Sequence, residues 1–82
     1  MNSDEILSRV REVIAKQFSV ASGTITRDTV AMDISGWDSV THVYLLLAIE
    51  REFGARIPDD RVFSMDNVGD LVDILAEQLA KR

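Results

Sequence analysis

Three side chains of the types used in hydrolytic catalysis lie close together in this chain: Asp38, Ser39 and His42. On a helix, Ser39 and His42 are three residues apart, which is near enough for a hydroxyl and an imidazole to meet. Asp38 is better placed to cap the helix, which leaves no carboxylate to orient the imidazole. A nucleophile elbow needs glycines two before and two after the serine, and Trp37 and Thr41 occupy those positions. We therefore do not expect a serine hydrolase, or an enzyme of any kind.

Metal-binding patterns are also missing from the sequence. The chain has no cysteine and a single histidine, so thiolate chemistry, disulfides and Cys/His metal clusters are excluded. The acidic residues around Asp59-Asp60 and between Asp66 and Asp73 lack the alternating oxygen ligands and central glycine of a calcium loop. We predict no metal site.

Length and charge narrow the function classes further. Eighty-two residues allow one domain, residues 1–82, with a small core. The net charge of −5 argues against binding to nucleic acid or to an anionic membrane surface. No apolar run approaches the ~20 residues of a membrane span, and the N-terminus lacks a signal-peptide pattern. We expect a cytoplasmic monomer that works with partner proteins.

Hydrophobic periodicity predicts the elements that position Ser39. Apolar residues at helical spacing predict a first helix over about residues 4–18, with Ser3 as its N-cap. Residues 19–38 have no sustained period and are predicted to be a long loop pinned by scattered apolar side chains. A second helix is predicted over residues 39–53, capped by Asp38 and ended by Gly54.

The rest of the chain adds one short helix and one long helix. One or two turns are expected over residues 59–63 after Pro58, and Asp66 or Asn67 is expected to cap a last helix. The predicted fold is therefore all-α, a four-helix bundle with three longer helices, one short helix and a long loop between helices one and two. On helix two we expect Val43 and Leu47 to face the core.

The run Gly36-Trp37-Asp38-Ser39-Val40 is the most distinctive sequence of the chain. It places the Ser39 hydroxyl at the first position of helix two, beside amide groups of the helix start. A phosphate group attached to Ser39 would meet the positive end of the helix dipole.

Over nearly its whole length the chain resembles the acyl carrier protein family, four-helix proteins that carry a 4′-phosphopantetheine arm on a serine. The resemblance rests on the Asp38-Ser39-Val40 motif together with three downstream runs in the same register. These runs are LAIEREFG at 47–54, IPD at 57–59 and VGDLV at 68–72.

The resemblance implies that Ser39 carries the arm and that Asp38 belongs to the attachment motif. The arm, supplied from coenzyme A by a phosphopantetheinyl transferase, would hold acyl groups as thioesters for fatty acid, polyketide or related specialised biosynthesis. Acyl-transferring, ligating or condensing enzymes would be the partners. It also implies a docking surface on helix two and the preceding loop, where we place Trp37, Val40, Tyr44 and Arg51.

A second group of apolar residues is expected in the core, where it could also part around an acyl chain. Its members are Val43, Leu47, Ile57, Leu71 and Ile74.

Helix two departs from the pattern of fatty acid carriers. Such carriers resemble one another in having carboxylates along helix two, whereas this chain has Thr41, Tyr44 and Arg51 at the corresponding positions. A carrier of a specialised pathway is therefore expected. Two alternatives stay open from the sequence: a peptidyl or aminoacyl carrier, and a small helical interaction module without a prosthetic group.

Overall fold

The computed structural model describes residues 1–81, and every regular element in that range is helical. Three α-helices run over Ser3–Phe18 (α1), Ser39–Phe53 (α2) and Val68–Ala80 (α3). Three-residue 3₁₀ turns occupy Ser22–Thr24, Ala31–Asp33 and Asp59–Arg61. None of the described helices is both long and apolar enough to cross a bilayer.

Helix α1 starts one residue earlier than its sequence predicts. The side chain of Asn2 accepts a 2.9 Å hydrogen bond from the amide of Glu5, so Asn2 is the N-cap and Ser3 is already helical. The prediction of Ser3 as cap was wrong because both residue types accept this bond equally well. Ile6, Val10 and Ile14, each four residues from the next, are fully buried along the inner face of α1.

The two other α-helices both pack against α1. The Cα atoms of α2 and α3 do not come within 8 Å of each other in the part of the chain that is described, whereas both helices approach α1. Leu45, Ile49 and Phe53 of α2 are buried. So are Val68, Leu71, Val72, Ile74 and Leu75 of α3. Helix α1 is therefore the shared packing partner of the fold.

The segment between α1 and α2 is held by two buried side chains, Ile25 and Ile34, and by hydrogen bonds to the start of α3. The amides of Val68 and Gly69 donate to the carbonyl oxygens of Thr29 and Arg27, at 2.9 and 2.8 Å. Asn67, one of the two predicted caps of α3, accepts from the amide of Asp70 at 2.9 Å. These bonds fix the path of the chain as it approaches Ser39.

Two of the predicted core residues of α2 lie on its outer side. Val43 is 40% exposed and Leu47 is 50% exposed, so their assignment to the core was wrong. The buried positions are His42, Leu45, Leu46, Ile49 and Phe53. Because α2 is apolar on most of its circumference, hydrophobic periodicity alone could not select the face that meets α1.

Candidate functional site

Ser39 is the first residue of α2, and its position is set by a reciprocal cap between Asp38 and Thr41. One carboxylate oxygen of Asp38 accepts hydrogen bonds from the amides of Val40 and Thr41, at 3.0 and 2.9 Å. The hydroxyl of Thr41 accepts from the amide of Asp38 at 2.8 Å and donates to the carbonyl oxygen of Gly36 at 2.7 Å. Ser39 itself is exposed to solvent. The predicted cap at Asp38 is confirmed.

The cap also changes the electrostatics of the helix start. The hydrogen bond from the Thr41 amide is the largest influence on the Asp38 carboxyl, and together with those of the Thr41 hydroxyl and the Val40 amide it outweighs desolvation and lowers the pKa of that carboxyl. The carboxylate therefore already occupies two of the amides that were expected to meet a phosphate on Ser39. A phosphate there would lie on the solvent side of the Asp38 carboxylate.

His42 is buried and both of its ring nitrogens have partners. The indole Nε1–H of Trp37 donates to Nδ1 of His42 at 3.0 Å, and Nε2 of His42 lies 2.7 Å from the carbonyl oxygen of Val62. Since an indole nitrogen can only donate, Nδ1 is the acceptor and Nε2 carries the proton. With both nitrogens engaged, His42 does not serve as a base for Ser39. This pairing was not predicted from the sequence, where the only hint is a tryptophan five residues before the histidine.

Four aromatic rings from separate segments form a continuous stack near Ser39. The ring centroids are 5.3 Å apart between Phe18 and Trp37, 6.0 Å between Trp37 and His42, and 5.6 Å between His42 and Phe63. Trp37 is half-buried in this stack, so it is a wall of the site more than an outward docking residue. Phe63, at the open end, is 68% exposed.

A cleft of about 270 Å³ opens between this stack and Ser39. We call it the Ser39 cleft, and its main lining residues are Ala31, Trp37, Ser39, His42, Phe63 and Met65.

The outward face of α2 is apolar at its start and basic at its end. Val40 and Tyr44, which the sequence places on the docking surface, are 61% and 59% exposed. Val43 and Leu47 extend the same face, since positions 40, 43, 44 and 47 follow helical spacing. We call these four residues the α2 stripe. Arg51, the other predicted docking residue, is exposed one turn beyond Leu47.

The residues predicted to part around an acyl chain fall into two groups. Val43, Leu47 and Ile57 line one shallow cleft of about 140 Å³, which we call the Ile57 cleft. Leu71 and Ile74 lie in the interior on α3, where they are 1% and 2% exposed.

Neither carboxylate that remains near the end of α2 is free for a partner. Glu50 accepts a 2.7 Å hydrogen bond from the amide of Ile57 and thereby closes the loop after α2. Glu52 lies 3.7 Å from Arg9 of α1 in an exposed ion pair.

Comparison with known proteins places this geometry in a family. The family model described as the phosphopantetheine attachment site matches residues 8–75. The acyl carrier protein of Lactobacillus acidophilus is 37% identical over 75 residues, covering 92% of this chain and 94% of the relative. That of Guillardia theta is 34% identical over 80 residues, covering 98% and 99%.

Solved structures agree with this comparison. The solution structure of the holo acyl carrier protein from Geobacter metallireducens has a TM-score of 0.81 at 31% identity, covering 92% of this chain and 86% of its own. The acyl carrier protein from Enterococcus faecalis has a TM-score of 0.75 at 27% identity, covering 95% and 99%.

Proposed function

This chain belongs to the acyl carrier protein family, whose members carry acyl intermediates on covalently attached 4′-phosphopantetheine, and we propose that Ser39 is its attachment residue. The observation that carries this assignment is the exposed Ser39 hydroxyl, fixed at the helix start by the cap between Asp38 and Thr41. In the transfer, the Ser39 Oγ attacks a phosphorus of coenzyme A and loses its proton. The bond to the adenosine bisphosphate leaving group breaks. When bound, the arm supplies a thiol that holds acyl groups as thioesters.

Intact-protein mass spectrometry after reaction with coenzyme A and a phosphopantetheinyl transferase tests the assignment. Wild type should gain one phosphopantetheine group and Ser39→Ala none. Ser35→Ala and Ser64→Ala are matched controls, because both remove an exposed serine near the site and should be modified like wild type. Modification of Ser39→Ala would overturn the assignment.

The α2 stripe is proposed as the docking surface for the enzymes that load, transfer or condense the acyl group. Exposed apolar side chains at helical spacing, Val40 and Tyr44 foremost, support this role because they offer area for an apolar interface. Arg51 adds a positive charge at the end of the stripe. Partners with an apolar site and an acid facing Arg51 fit this surface, which favours a specialised pathway over general fatty acid synthesis.

An acyl chain is proposed to enter through the Ile57 cleft, toward Leu71 and Ile74. The separation between α2 and α3 supports this route, because a chain could pass between them without displacing either helix from α1. Val43 and Leu47, exposed at the mouth, would then be covered by the chain.

The proposal also counts residues 59–63 as the short fourth helix of the bundle. Asp59–Arg61 forms a 3₁₀ turn, and Val62 follows with right-handed helical angles of φ −56° and ψ −43°. The long connection 19–38 between α1 and α2 is part of the same architecture. Monomeric state and a cytoplasmic location stay predictions from the sequence.

A further inference from the structure

The Ser39 cleft is distinct from the Ile57 cleft, and the acyl-chain route does not use it. We propose that the cleft holds the pantoyl part of the arm, the segment next to the phosphate that carries two geminal methyl groups. This inference rests on the proposed attachment at Ser39. It assigns a binding role to Trp37, His42 and Phe63.

The occupant is indicated by the position of Ser39 in the cleft wall. A group tethered to a lining residue is present at high effective concentration, so even weak contacts hold it. The volume of about 270 Å³ lies just below the range of roughly 300–1,000 Å³ found for drug-sized ligands. It therefore suits one short segment of the arm and not the whole arm with its cargo.

The chemistry of the walls selects methyl groups over polar groups. The indole N–H of Trp37 is already donated to His42, and the Nε2–H of His42 is donated to Val62. These two residues therefore present ring faces, and Met65 adds a polarizable thioether. The amide groups further along the arm would gain no hydrogen bond from Trp37 or His42, whereas the geminal methyl groups would gain apolar contact.

The two sides of the cleft differ in rigidity. Trp37 is stacked on Phe18 and hydrogen-bonded to His42, so this wall is already ordered and costs little to bind against. Phe63 is 68% exposed and has apolar surface to bury. The phosphate would remain outside, because the Asp38 carboxylate at the rim repels it.

Proton NMR of the holo-protein tests the proposal with a readout independent of enzymatic activity. The two arm methyl resonances should shift upfield from their positions in free coenzyme A, because they lie over the Trp37 and Phe63 rings. They should also show nuclear Overhauser contacts to the indole protons, which are unambiguous because Trp37 is the only tryptophan.

Two variants make the test specific. Phe63→Leu keeps an apolar side chain but removes the ring, and should reduce the upfield shift. Leu47→Ala changes an exposed apolar residue outside the Ser39 cleft and should leave the shift unchanged. Methyl resonances at the free coenzyme A positions in a protein whose mass shows the arm would overturn this inference alone. Absence of the arm from wild type would overturn the attachment at Ser39, and this inference with it.

Discussion

The amide of Gly69, at the start of α3, donates a 2.8 Å hydrogen bond to the carbonyl oxygen of Arg27 in the α1–α2 connection. This approach is close enough that a Cβ at position 69 would lie 3.1 Å from the same oxygen. The guanidinium of Arg27 in turn binds the carboxylate of Asp73 at 2.9 Å. The glycine in the run VGDLV therefore has a packing role that joins the connection to α3.

Gly69→Ala should lower the free energy of unfolding by about 1 kcal/mol, because overpacking against a hydrogen-bonded carbonyl outweighs the helix propensity gained. The melting temperature should fall by roughly 4–8 °C for each kcal/mol in a domain of this size. Gly23→Ala is the matched control, since nothing lies within 4 Å of its Cβ position. An equal melting temperature for Gly69→Ala and wild type would show that the carbonyl can move aside.

Glu50→Ala should destabilise the fold by about 1–3 kcal/mol, because the part-buried amide of Ile57 loses a charged acceptor. Glu52→Ala removes the same side chain two residues later, where the ion pair with Arg9 is exposed, and should cost less than about 1 kcal/mol. Urea denaturation of both variants measures the difference. Equal losses would mean that the bond to Ile57 adds nothing to stability.

Asp38 should make the fold sensitive to acid. Its pKa is lowered in the folded state, so its contribution to stability is complete above the pKa of the unfolded chain, about 3.9. That contribution is lost as the pH falls through the lower folded value. Asp38→Asn keeps an acceptor oxygen without a titrating group, so its melting temperature should fall less below pH 4. Parallel acid curves for the two proteins would contradict this.

Arg51→Glu should improve the use of the holo-protein by a fatty acid malonyl transferase, several-fold in kcat/KM. The substitution replaces a repulsion by an attraction toward a basic docking site, and the gain should shrink as salt rises. Lys16→Glu makes the same charge change on α1 and serves as the control. A wild-type protein already as good as a general fatty acid carrier would contradict the specialised-partner proposal.

The sequence was sufficient for the three α-helices, for the caps at Asp38 and Gly54 and for the family. These features depend on residues within one helical turn, where spacing and side-chain type decide the structure. It was insufficient for the orientation of α2, because apolar residues surround that helix and only packing on α1 selects the buried face. The engagement of Glu50 with Ile57 and of His42 with Trp37 and Val62 depends on the path of connecting segments, which periodicity does not encode.

The central position of α1 has a consequence for folding. Within the described chain the backbones of α2 and α3 stay apart from each other, so each of these helices depends on α1 for its buried face. Partial unfolding that releases α1 would leave two isolated helices, which at 15 and 13 residues are marginal in water. The chain should therefore unfold as a single cooperative unit, and Trp37 fluorescence and helical circular dichroism should report one coincident transition.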